Sequence, residues 1–92
     1  MIKVKSSAEL RLMMESNEIA AQALALAGRT IRAGMSTWEL DKAVHDFIVS
    51  KGAIPSSLGY GGFPNSCCIS VNEELIHGIP SRKKIIKEGD IV

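Results

Sequence analysis

Two helix-start signals constrain this chain more than anything else in it. Ser6-Ser7-Ala8-Glu9 and Ser36-Thr37-Trp38-Glu39 both carry the Ser/Thr-x-x-Glu capping box, in which the serine hydroxyl and the glutamate reciprocally satisfy free backbone N–H groups. Behind the first box, Leu10, Met13, Met14, Ala20, Ala21, Leu24, Ala27 and Ile31 recur every three or four residues. That period predicts one amphipathic helix over about 7–32, with Gly34 as its C′ residue. The small side chains of Ala20–Ala27 would let a second element approach closely. Behind the second box, Leu40, Ala43, Val44, Phe47 and Ile48 predict a helix over about 37–51 that stops at Gly52. Asp41, Lys42, His45 and Asp46 fall on its polar side, where a solvated histidine is the expected reading. Trp38, in the first turn, is expected to cover the core.

The period then changes. Ala53–Ser57 reads as short and extended, with Pro55 limiting it to a sheet edge or strand end. Gly59, Gly61, Gly62 and Pro64 make a loop with unusual backbone angles. Cys67–Asn72 reads as a β-run. Glu73–Ile76 fits either a turn or one helical turn. Lys87-Glu88-Gly89-Asp90 is a turn, and Ile91-Val92 begins a strand. The expected architecture is α/β (α+β): two amphipathic helices followed by antiparallel strands, in a single incomplete domain spanning 1–92.

Composition excludes several classes of function. Net charge is +1 and the charged fraction 23%, so the balance carries no nucleic-acid signature. No run reaches the ~20 apolar residues of a membrane span, and no signal-peptide core follows Met1. The only cysteines, Cys67 and Cys68, are adjacent. On a strand they point to opposite faces, so no disulfide framework exists. A cytoplasmic protein is expected.

The chemistry-bearing residues concentrate between Leu58 and Pro80. The glycine loop lacks the Lys-Ser/Thr of a phosphate loop. Glu73 and Glu74 are adjacent and diverge on any regular element. The basic group Arg82, Lys83, Lys84 and Lys87, interrupted by Glu88 and Asp90, reads as a solvated turn. His77 stands apart. It precedes Gly78-Ile79-Pro80, where glycine permits close approach and proline stiffens the exit. Such a histidine can be a positioned hydrogen-bond donor or general acid, or simply structural. The cysteines read as small core hydrophobes.

The string Gly59-Tyr60-x-Gly62-Phe63-Pro64-x-Ser66-x-Cys68-Ile69-Ser70-x-Asn72-Glu73-x-x-x-His77-Gly78-Ile79-Pro80 resembles the N-terminal part of type I methionine aminopeptidase. Ser6–Glu9, the turn at Gly34–Thr37 and Gly89-Asp90-Ile91-Val92 fall where that family has them. The resemblance implies the pita-bread fold, with a curved antiparallel sheet and helices outside. It implies hydrolytic removal of the initiator methionine from nascent polypeptides, assisted by two divalent metal ions (cobalt, manganese, iron or zinc). By the same resemblance His77 is catalytic and binds substrate near the scissile amide. Tyr60, Phe63 and Cys68 line the pocket for the methionine side chain. Gly61 stands where many relatives carry a bulkier residue, and Phe63 where some have tyrosine. The family's metal ligands, two aspartates, a histidine and two glutamates, lie in a part beyond Val92. The 92-residue chain is therefore expected to bind no metal and to be inactive alone, as the front of a larger enzyme that is monomeric at full length. The competing readings are a non-catalytic peptide- or ribosome-binding module of the same fold and a truncated remnant.

Overall fold

The computed structural model describes residues 1–92. Two helices dominate, α1 (Ser7–Thr30) and α2 (Thr37–Ser50). Both begin where the capping signals place them. At α1 the box is reciprocal: the Glu9 N–H donates to Ser6 Oγ at 3.2 Å and the Ser6 N–H to Glu9 Oε2 at 3.0 Å. At α2 only the serine half forms, with the Glu39 N–H donating to Ser36 Oγ at 3.1 Å. The C-terminal ends differ. Gly52 closes α2 in the left-handed conformation, φ +74°. The Ala53 and Gly52 N–H groups donate to the Ile48 and Val49 carbonyls, the two bonds of a Schellman motif. Gly34 does not cap α1. That helix ends at an extended Ile31, and Gly34 (φ +95°) belongs to the following turn.

α1 and α2 pack against each other, and Ala23 is the one buried residue of α1. The rest of the expected apolar stripe is not buried. Residues 1–18 are all exposed, and Leu24 is 75% accessible. Length explains this. At 1.5 Å per residue α1 is about 36 Å long and α2 about 21 Å, so α2 cannot cover both ends of its partner. An open apolar groove of about 690 Å³ lies between the C-terminal half of α1, α2 and segment 67–70, lined by Leu24, Ala27, Val44, Ile48, Cys67 and others. Replacing Met14 or Leu24 with glutamine should shift this chain's stability by less than about 0.5 kcal/mol, as for other surface positions. A thermal-denaturation series checks this; a loss several times larger would mean that these side chains are buried.

The second layer consists of turns and extended chain. Segment 34–37 runs antiparallel to 84–86 through the bridge Ser36–Ile85. The Gly34 N–H donates to Ile86 O (2.7 Å), the Ile86 N–H to Met35 O (2.8 Å) and the Thr37 N–H to Lys84 O (2.9 Å). Thr37 is wholly buried; its hydroxyl donates to Ser81 O and accepts from the Ser81 N–H. Met35, Leu40, Ile69 and Ile86 form the core cluster, with Ile31, Ala27, Cys67 and Val71 packed on it.

The predicted strands do not form. Segment 67–72 is free of helix and turn up to Asn72, but side chains take the N–H groups of Cys67 and Val71 within it and of Ser66 just before it. Asp41 accepts from Ser66 and Cys67, and Glu74 accepts from Val71. Only Ile69, to Gly78 O (2.8 Å), and Asn72, to Ile91 O (2.8 Å), reach another backbone. A ladder needs consecutive backbone pairs, and this segment has none. Residues 53–57 likewise enter a turn closed by the Leu58 N–H on Pro55 O. Glu73–Ile76 resolves as a turn, not a helical turn.

Candidate active site

The glycine loop folds back on itself. The Gly59 N–H donates to Phe63 O at 2.8 Å, and the Phe63 N–H to Tyr60 O at 3.0 Å, around a single 3₁₀ turn, Tyr60–Gly62. Gly59, Gly61 and Gly62 all have positive φ, at +79°, +57° and +84°. Side chains other than glycine rarely adopt this conformation, so the tight loop requires this composition. The turn leaves the Tyr60 ring 81% accessible and Phe63 half-buried.

His77 follows a second constrained loop, Asn72–His77, bounded by two non-glycine residues in the left-handed region, φ +54° and +56°. Asn72 ties one end: its Nδ2 donates to Asp90 Oδ1 and its Oδ1 accepts from the Ile91 N–H, both at 3.0 Å. Gly78 ties the other end, with its carbonyl on the Ile69 N–H and its own N–H on Ser70 Oγ at 3.1 Å. Glu74 clamps the middle, bonded to the Val71 N–H and to Lys84 Nζ. Between these ties the His77 side chain is exposed.

Tyr60, Phe63, Cys68 and His77, all four residues singled out from sequence, line one open cleft of about 600 Å³. Ser57, Pro64 and Ile79 complete its walls. Ser57 has no sequence signal of its own, because a lone serine in a loop is usually a turn residue. The two cysteines differ in exposure, and Cys68 is not the core hydrophobe expected. Cys68 is exposed and borders both the cleft and the apolar groove, while Cys67 is half-buried beneath it. Burial and the Asp41 carboxylate push the Cys67 thiol up to about 12, so it stays protonated at neutral pH.

The expected polar face of α2 needs correction. Asp41 is buried, and it accepts from Asn65 Nδ2 (3.0 Å), the Ser66 N–H (3.0 Å), the Cys67 N–H (2.9 Å) and Cys67 Sγ (3.3 Å). His45, one turn on, is half-buried with Nδ1 2.6 Å from Ser66 Oγ. A usable signal was present: Thr37, Asp41 and Val44 share the helical spacing of the buried face. The basic turn is also partly engaged. Arg82 stacks on Trp38 at 4.1 Å from the ring centroid, and Lys84 pairs with Glu74 at 2.6 Å.

Two half-buried carboxylates sit below their ordinary range. Glu74 is lowered first by Lys84 and then by the Val71 N–H; Asp90 is lowered by Asn72 and then by the Lys87 N–H. A depressed carboxylate contributes stability above its unfolded pKa and loses it as pH falls through its folded value. The His77 loop should therefore hold its geometry at neutral pH and loosen in acid, below the usual carboxylate range. Amide exchange at Val71 and Lys87 between pH 7 and about 3 checks this; pH-independent protection would refute it.

No group of three or more histidine, cysteine, aspartate or glutamate side chains converges to hold a metal. No helix is long and apolar enough to cross a membrane.

Residues 11–92 match the model for metallopeptidase family M24, and the chain is a member of that family. Within it, the chain is similar to proteins named methionine aminopeptidase. It is 44% identical to the one from Clostridium acetobutylicum over 92 residues, all of this chain and 37% of the relative. It is 48% identical to that of Helicobacter pylori over 91 residues, 99% of this chain and 36% of the relative. The chain thus spans little more than a third of the relatives' length. Among solved structures, methionine aminopeptidase from Thermotoga maritima superposes with a TM-score of 0.94 at 34% identity, and that from Rickettsia prowazekii with 0.92 at 37%. Each comparison covers 98% of this chain and 36% of the other. The type I resemblance drawn from the Gly59–Pro80 string stands, and the local fold is that of the corresponding part of these pita-bread proteins.

Proposed function

We propose that this chain forms the methionine-side-chain wall of an aminopeptidase that removes the initiator methionine from nascent polypeptides. The observation that carries the reading is the gathering of Tyr60, Phe63, Cys68 and His77 around one cleft. An unbranched thioether favours aromatic and sulfur neighbours in an apolar site with few polar groups. Tyr60 and Phe63 supply the rings, and Cys68 supplies the small polarisable floor. His77, the imidazole of the cleft, faces the reacting end, where its ring can hydrogen-bond the scissile amide. In the whole enzyme a divalent metal pair supplies the activated water, as the family's metallopeptidase character implies. The side chains of these 92 residues do not fit such a pair. The chain alone is inactive. In the whole enzyme the partners are nascent N-termini in the cytoplasm, with ribosome contact in passing, and the enzyme is monomeric.

A second reading has one observation in its favour. A formed cleft without a metal cluster suits a module that binds peptide without cleaving it. Isotope-edited NMR separates the possibilities. Methionine amide should shift the Tyr60, Phe63 and His77 resonances, and lysine or glutamate amide should not. A Met-Ala-Ser peptide with added cobalt or manganese should stay intact. Equal shifts with all three amides would overturn the pocket assignment, and released methionine would overturn the inactivity.

A further inference from the structure

We propose that Asp41 and His45 of α2 are positioning residues for the cleft wall, setting where Phe63 and Cys68 stand relative to each other. The proposal rests on the methionine-pocket reading but concerns residues outside the cleft. Phe63 and Cys68 are separated by Pro64-Asn65-Ser66-Cys67, and three of those four residues are tied to one turn of α2. One buried carboxylate takes the Asn65 amide, the Ser66 and Cys67 N–H groups and the Cys67 thiol. His45 adds the Ser66 hydroxyl at 2.6 Å. Asp41 and Ser66 are 6% and 7% accessible, so water does not substitute for these bonds. No other element bonds to residues 65–67 through side chains. The wall segment thus has no ladder of its own and takes its shape from a single carboxylate on a rigid helix. The same network orients the cysteine pair. Holding Cys67 on Asp41 leaves Cys68 to face the cleft.

The test is site-resolved alkylation of the 92-residue chain with iodoacetamide, Cys67 and Cys68 being distinguished by fragment mass spectrometry. In the parent chain Cys68 should react at least about tenfold faster than Cys67, as an exposed thiol does against a half-buried, hydrogen-bonded one beside a carboxylate. Asp41→Asn removes the charge at constant volume and should bring the two rates within about threefold, and methionine amide should then protect Cys68 less well than in the parent. His45→Gln breaks one bond only and should weaken protection to a smaller degree; it also serves if Asp41→Asn fails to fold. A lower melting temperature with an unchanged rate ratio and unchanged protection would show Asp41 to be merely structural and overturn the proposal. If methionine amide gives no protection even in the parent, the pocket reading fails, and the His45→Gln rate ratio, which leaves the Asp41–Cys67 contact in place, still decides the positioning role: a ratio equal to the parent's overturns it.

Discussion

Gly78→Ala should be among the most damaging single substitutions in the chain. A Cβ at Gly78 would stand 2.0 Å from the Ile69 carbonyl oxygen, 2.6 Å from its carbon and 2.8 Å from Ser70 Cα. All three are backbone atoms, so no side chain can swing away. Relief requires separating segment 67–71 from 77–80. That breaks the Ile69 N–H to Gly78 O bond and the Gly78 N–H to Ser70 Oγ bond, beside the buried Ile69 of the core cluster. Overpacking costs about 1–3 kcal/mol and each lost hydrogen bond about 1 kcal/mol, so a loss of about 3–5 kcal/mol is expected. Small domains hold only about 5–15 kcal/mol in total. Gly61→Ala is the control. Gly61 has positive φ but open space around it, so it should lose only about 1 kcal/mol. Urea denaturation of both variants measures the difference. Gly78 itself has no positive φ, so equal losses would mean that the close approach to Ile69 costs no more than an unfavourable φ and would overturn the expectation.

Gly78 also marks where sequence reading stops. Its neighbours suggested close approach, but the atom approached, Ile69 O, is set by chain pairing that no local pattern encodes. The helices were legible because caps and period are local: Ser6, Ser36 and Gly52 act within four residues of themselves. The cleft was legible by resemblance, since Tyr60, Phe63, Cys68 and His77 are not neighbours at any regular spacing. The strands failed for a specific reason. Cys67–Asn72 has β-type composition, yet Asp41 and Glu74 take the Cys67 and Val71 N–H groups, and the Ile69 and Asn72 N–H groups pair with two different segments, at Gly78 and Ile91, so no ladder runs along one partner. Composition reports what a segment would do beside an equal partner, not which partner arrives. Asp41 was misjudged because a carboxylate on a helix is usually solvated. Its position on the Thr37–Val44 face was the stronger fact, and burial followed once four donors were available to it.

His77→Gly separates chemistry from backbone in a way that alanine does not. His77 sits at φ +56°, a conformation that strains a side-chain residue by about 1 kcal/mol and glycine not at all. Glycine recovers that strain but loses about 0.5–1 kcal/mol through its freer unfolded chain. The ring is exposed, so little packing is lost. Stability of His77→Gly should therefore stay within about 1 kcal/mol of the parent. Function should not. With the family's metal-bearing remainder joined to this chain, losing a positioned donor or acid at the scissile amide should lower kcat by about 10²–10⁴-fold. His77→Asn tolerates the same backbone and keeps a neutral donor, so it should fall between glycine and histidine. His77→Ala would lose both activity and, through strain, some stability, which confuses the two causes. If His77 served only to turn the chain, glycine would be the best replacement of the three and activity would survive it. An ordering His > Asn > Gly in kcat, set against near-equal stability of His and Gly, places the function in the imidazole.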